Sequence, residues 1–227
     1  MKTMHFPITV VDDFFDYPDQ VRDFALKQTY ACSEDNRWPG KRSKELSVLN
    51  PALFNLALSK IVSLFYNLEQ TEVAWVSNAQ FQLVDGRYND GAGASWVHID
   101  KNIATAIIYL SKSGNKSGTT IYRPIDPLTA SLCNLDKKEK SFENPELVKE
   151  VKDYKLANNN QFRPSVTVEE EYNRLVLFDG HLFHGANEFY GEQDDDSRLT
   201  LIFFINQLNI KEGNVFPVAR SRTVLGY

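Results

Sequence analysis

A chain of 227 residues with 42% apolar residues, 12% aromatics (15 Phe, 10 Tyr) and a net charge of -5 fits one domain with a real core and excludes a disordered polypeptide. The acidic balance argues against sequence-blind nucleic-acid binding, which needs a basic face to displace condensed counterions. Cys32 and Cys133 form neither a metal-binding spacing nor a disulfide scaffold, and no apolar run is long enough for a leader or a bilayer span, so a soluble cytoplasmic protein is expected.

Ile8-Thr9-Val10-Val11 reads as a strand, and Pro18 opens a helix on which Val21, Phe24, Ala25 and Gln28 share a face. Trp38-Pro39-Gly40 marks a turn. A second helix is predicted over 51–66, with Leu53, Leu56, Ile61, Leu64 and Phe65 as its apolar side. The first third, 1–70, is therefore expected to be a mostly helical support. From about residue 72 the pattern changes to short β-branched and aromatic runs separated by Gly, Asp and Asn. Residues 71–76 and 79–84 make two strands or one long bent one, and 105–110, 119–122, 174–178 and 199–205 supply the rest. These predict an antiparallel sandwich or barrel. Residues 124–171 are polar and without a strand pattern, apart from one helix over 145–154, and such an excursion suits a lid or a substrate loop. The expected organisation is one domain over 1–227, with a β core at 71–210 and a C-terminal extension at 211–227.

Four histidines are present: His5 near the terminus, then His98, His181 and His184 beside strand-like segments. His98-Ile99-Asp100 has an acid at i+2. In an extended backbone those two side chains project to one face, so imidazole and carboxylate converge. Two histidines and one carboxylate with open positions suit a non-haem Fe(II) oxygenase, and the third ligand must come from elsewhere in the chain. Alone, His-x-Asp is a weak signal that a surface turn with a stray histidine explains better. Downstream, Arg198 and Thr200 share a face of an otherwise apolar strand. A buried cation and hydroxyl there are costly unless they meet an anion, although a solvent-facing strand-end arginine is the commoner case.

In this arrangement the chain resembles the Fe(II)/2-oxoglutarate-dependent dioxygenases, closest to the prolyl-hydroxylase-like branch. The resemblance rests on Tyr88-Asn89-Asp90-Gly91 ahead of His98-Ile99-Asp100, then Leu175 to Phe178 leading into His181-Leu182-Phe183-His184-Gly185, then Arg198 with Thr200. It spans roughly 78–206 in the right order. It implies a mainly β fold with flanking helices, built on a double-stranded β-helix (jelly roll, cupin-like) core. It also implies Fe(II) on His98, Asp100 and His184, the family's distal histidine falling six residues after the strand-ending Phe, here Phe178. By the same resemblance 2-oxoglutarate is chelated beside a site for dioxygen, its far carboxylate held by Arg198 and Thr200 with help from Tyr88. The branch implies hydroxylation of a peptidyl residue, an amino acid or a small metabolite. One departure is the interval of 14 residues from His184 to Arg198, whose surplus Gly191 to Asp196 suits a lengthened loop; Arg174 and Arg220 are poorer candidates for the clamp.

Two other readings compete. A zinc hydrolase could use the same triad but needs no dicarboxylate clamp, and an inactive jelly-roll binding module has no need of an intact triad. Asn78, Gln80, Tyr122, Arg123 and Trp96 are secondary pocket candidates, each equally explained as ordinary sheet or core residues. The sequence carries no readable code for the substrate or the oligomeric state.

Overall fold

The computed structural model describes residues 8–33, 38–89, 95–112, 117–126 and 148–210. His5, Gly91, Cys133, Arg220, the extension 211–227 and residues 127–147 of the polar excursion lie outside the described residues.

Antiparallel pairing dominates. The strands are β1 (Thr9–Val11), β2 (Tyr30–Cys32), β3 (Lys41–Ser43), β4 (Val73–Val84), β5 (Ala104–Tyr109), β6 (Gly118–Pro124), β7 (Phe162–Glu169), β8 (Leu175–Asp179), β9 (His184–Ala186) and β10 (Arg198–Ile210). Seven of them form a large sheet in the order β1-β8-β5-β10-β4-β3-β2, and β7-β6-β9 form a smaller one. The two segments at 71–84 are one strand, and its pairing with β10 slips between Ile205 and Gln207, a bulge of the kind that bends a long ribbon.

β10 shows how alternation builds two cores. Leu199, Leu201, Phe203 and Ile205 belong to the cluster that includes the helices, and Phe54 of α3 (Pro51–Ser63) stacks on Phe203 at 5.7 Å. The opposite face of β10 carries Ile202, which joins Ile107, Tyr109, Val176 and Phe178 of the large sheet and Ile121 and Val168 of the small one. The two sheets therefore pack face to face, and Arg198 and Thr200 alternate onto that inner face.

α3 starts where the sequence places it, because Pro51 fixes the first turn and the Asn50 side chain accepts a hydrogen bond from the Leu53 amide. Its buried face is Phe54, Ala57, Leu58, Ile61 and Val62, while Leu56 is exposed. That corrects the predicted face: Leu and Ala occur all round this segment, so spacing alone did not choose a side.

The first third is mixed, with three short strands beside its three helices. Besides α1 (Pro18–Leu26), α2 (Leu46–Leu49) and α3 it supplies β1, β2 and β3 to the large sheet. A second correction concerns the polar excursion. Among its described residues lie α4 (Val148–Asn159) and β7, which pairs with β6 along its length. β7 escaped detection because Pro164 interrupts it and most of its side chains are exposed, both properties of a strand at a sheet edge. No helix among the described residues is long and apolar enough to cross a membrane.

Candidate metal centre

His98 and His184 meet across a two-residue antiparallel bridge. The His98 amide donates to the His184 carbonyl at 3.0 Å, and the His184 amide donates back at 2.8 Å. Their rings lie 4.4 Å apart. Two residues on, the Asp100 amide donates to the Gly180 carbonyl at 2.7 Å. A Cβ at Gly180 would stand 2.3 Å from the Asn102 carbonyl oxygen, so only glycine lets the two segments approach this closely.

The register aims three ligand atoms at one point. One donor atom from each of His98, Asp100 and His184 lies within 4.8 Å of the others. His98 Nε2 is 3.8 Å from Asp100 Oδ1, and His184 Nε2 is 3.5 Å from Asp100 Oδ2. Each imidazole donates its Nδ1–H to a backbone carbonyl, His98 to Trp96 at 2.9 Å and His184 to Leu182 at 2.8 Å. A carbonyl only accepts, so Nδ1 carries a proton and Nε2 is the atom each ring turns inward, the arrangement a metal ligand needs. Thr105 donates to Asp100 Oδ2 at 2.6 Å, and Asn102 Nδ2 in turn donates to Thr105 at 2.9 Å. These contacts hold the carboxylate in place through Oδ2.

α4 supports the His98 segment from outside. Asn159 Oδ1 accepts from the Val97 amide at 2.9 Å, Asn159 Nδ2 donates to the Ser95 carbonyl at 3.0 Å, and Asn158 Nδ2 donates to the Val97 carbonyl at 3.0 Å. Part of the stretch expected as a lid is thus a brace for the histidine strand. His181 lies apart from the cluster: its side chain is 56% exposed, and its Nδ1 sits 3.2 Å from Asp179 Oδ1.

Arg198 is buried on the inner face, where Nε donates to Ser117 Oγ at 3.1 Å and lies 3.6 Å from Glu170 Oε2. The guanidinium is 5.5 Å from the Tyr109 ring centroid and 6.0 Å from that of Phe189. Thr200 lies opposite Tyr109 in register and is fully buried, yet its hydroxyl has no hydrogen-bond partner among the described residues. Burial pushes the Tyr109 hydroxyl above the ordinary tyrosine pKa, against the pull of Arg198, so it stays protonated at neutral pH. Tyr88 occupies the last position of an exposed 3-10 turn, Gly86–Tyr88, away from these buried neighbours. The lengthened loop before Arg198 is folded: Asp196 Oδ1 accepts from the amides of Glu192 and Gln193, and Lys41 pairs with Asp194 at 2.6 Å.

Of the secondary candidates, Trp96 is buried, Gln80 is half-buried and donates to the Ser43 carbonyl, Tyr122 is half-buried, and Asn78 and Arg123 are exposed. Sequence reasoning missed Tyr109, Ser117 and Glu170. Tyr109 alone left a trace, as the one phenol in an aliphatic strand at even spacing from Thr105.

Comparison with solved structures assigns the fold to a class. The chain shares its fold with the non-haem α-ketoglutarate-dependent epimerase SnoN of nogalamycin biosynthesis, at 14% identity and a TM-score of 0.50 over 92% of this chain and 82% of that one. It also aligns with a prolyl hydroxylase from Trichoplax adhaerens solved with a hypoxia inducible factor peptide (14% identity, TM-score 0.49, 88% and 83% covered). A third alignment is with apo HygX from Streptomyces hygroscopicus (13%, 0.46, 88% and 81%). No curated protein matches the chain in sequence. Residues 1–205 match the model of a family of unknown function, DUF6445, and the chain belongs to that family.

Proposed function

We propose that the protein is an Fe(II)- and 2-oxoglutarate-dependent oxygenase, most simply a hydroxylase. The observation that carries this reading is the convergence of His98, Asp100 and His184 through two Nε2 atoms freed by backbone-bound Nδ1–H groups. Two imidazoles and one carboxylate leave coordination positions for small ligands, the donor set of non-haem iron oxygenases rather than of closed structural sites. Arg198 and the unpartnered Thr200 hydroxyl fit the far carboxylate of 2-oxoglutarate, because a buried hydroxyl without a partner calls for a ligand. A hydrolase has no use for that clamp. The fold shared with SnoN agrees with the reading.

When bound, iron and 2-oxoglutarate activate dioxygen and couple decarboxylation to succinate with oxidation of a substrate C–H bond. The chain's own residues bind, orient and shield. Thr105 fixes one Asp100 oxygen, Trp96 and Leu182 carbonyls fix the ring orientations, and Tyr109 and Phe178 keep water from the inner face. In this reading Tyr88 stands at the rim, and a jelly-roll core over 71–210 acts on an amino acid, a small metabolite or a peptidyl residue.

Anaerobic addition of Fe(II) and 2-oxoglutarate to the purified protein is expected to give the weak visible charge-transfer band of the chelate. A protein that binds neither and gives no band sinks the proposal. Thr105→Val is expected to weaken Fe(II) binding about tenfold or more in a metal titration, with the fold retained, because it frees the Asp100 carboxylate to rotate.

A further inference from the structure

Arg42 is a second cation on the inner face of the large sheet. In register it lies opposite Gln82 of β4, and Gln82 lies opposite Thr200 of β10, so the three share one row. Its guanidinium sits 4.4 Å from the Trp38 ring centroid and 5.5 Å from that of Phe204. Phe204 is the register partner of Thr105, whose hydroxyl holds Asp100. A path of contacts thus runs from Arg42 through Phe204 and Thr105 to Asp100.

The two donors here are unspent. Arg42 Nε and Trp38 Nε1 are both shut off from solvent, and neither has a hydrogen-bond partner among the described residues. Burial pushes the Arg42 pKa down to about 10, opposed by the charges of Asp100 and Glu45. Asp100 accepts from Thr105 and faces the histidines, and Glu45 accepts the Ala79 amide at 3.0 Å. A planar fork between two aromatic rings, with an indole N–H beside it, matches a carboxylate in shape and charge.

We propose that Arg42 and Trp38 form a subsite for the carboxylate of the primary substrate, so that the compound oxidised is a small carboxylic acid. The inference rests on the oxygenase reading, and it concerns an anion other than the one Arg198 receives. The test uses matched acid and amide probes (acetate with acetamide, glycine with glycinamide, phenylacetate with phenylacetamide). They are added at equal ionic strength to the anaerobic protein carrying Fe(II) and saturating 2-oxoglutarate, with thermal unfolding as the readout. Acids are expected to raise the melting temperature and amides to leave it unchanged. Arg42→Gln should weaken the acid response about tenfold or more while the 2-oxoglutarate titration of the chelate band stays where it was. Trp38→Phe keeps the ring and removes only the N–H, so a smaller loss of acid response is expected even if Arg42→Gln fails to fold. Acids and amides acting alike would overturn the proposal. So would loss of 2-oxoglutarate binding in Arg42→Gln, which would give the subsite to the cosubstrate. A wild-type protein without the band removes the oxygenase reading instead, and the acid–amide difference still decides whether the anion subsite exists.

Discussion

His184→Gln is expected to abolish the Fe(II)–2-oxoglutarate chelate band, and His181→Ala to leave it intact. The two histidines stand three residues apart, but the bridge with His98 separates their fates. His184 is 5% exposed, lies 4.7 Å from the Phe178 ring and turns Nε2 toward Asp100 at 3.5 Å. His181 turns away into solvent and closes a turn with Asp179, which accepts from the His181 amide at 3.0 Å. Removing one of three ligands leaves a two-point site, and divalent-metal affinity in such sites falls by orders of magnitude. Gln keeps most of the buried volume of His184, so thermal unfolding of the metal-free variant should stay close to wild type and exclude collapse as the cause. Metal content by elemental analysis and the anaerobic band report the same loss independently. A band lost in His181→Ala and kept in His184→Gln would reverse the ligand assignment.

The sequence exposes parts of this site unequally, and the reasons are physical. His98-x-Asp100 is legible because a strand repeats every two residues, which puts both side chains on one face whatever the strand pairs with. The partner of that pair is a matter of register between distant segments, and β9 is only His184–Ala186, too short to show a period. Arg42 is harder still. Lys41-Arg42-Ser43 has no apolar alternation, and β3 exists because it pairs with β4 at Lys41↔Leu83 and Arg42↔Gln82. The same holds for Glu170, which follows β7 and is buried although the strand before it is mostly exposed. Long β4 and β10 were legible, as was the capped start of α3, because in each a local signal and the tertiary contacts agree.

Glu170→Gln is expected to tighten 2-oxoglutarate binding, and Arg198→Gln to weaken it at least about a hundredfold while Fe(II) is retained. Arg198 is buried, and its charge is compensated by Glu170 at 3.6 Å. Glu170 is itself held by Tyr190, which donates to Oε1 at 2.8 Å, whereas Oε2 has no hydrogen bond. The arrangement is an ion pair that is close but not locked, with an unpartnered Thr200 hydroxyl beside it. Removing one member of a buried pair typically costs about 3–5 kcal/mol, because the survivor is left uncompensated. In Glu170→Gln the Tyr190 contact survives, so the loss falls on Arg198, and the metal-free protein should melt earlier than wild type. A dicarboxylate arriving at that guanidinium restores the missing negative charge. The 2-oxoglutarate-dependent rise in melting temperature should therefore be larger in Glu170→Gln than in wild type, and the dissociation constant about tenfold lower. Arg198→Gln removes the charge that both carboxylates compete for, so its metal titration should match wild type while its chelate band needs far more cosubstrate. If Glu170→Gln weakens 2-oxoglutarate binding instead, Glu170 holds Arg198 in its binding position rather than competing for it, and the pair is a positioning device.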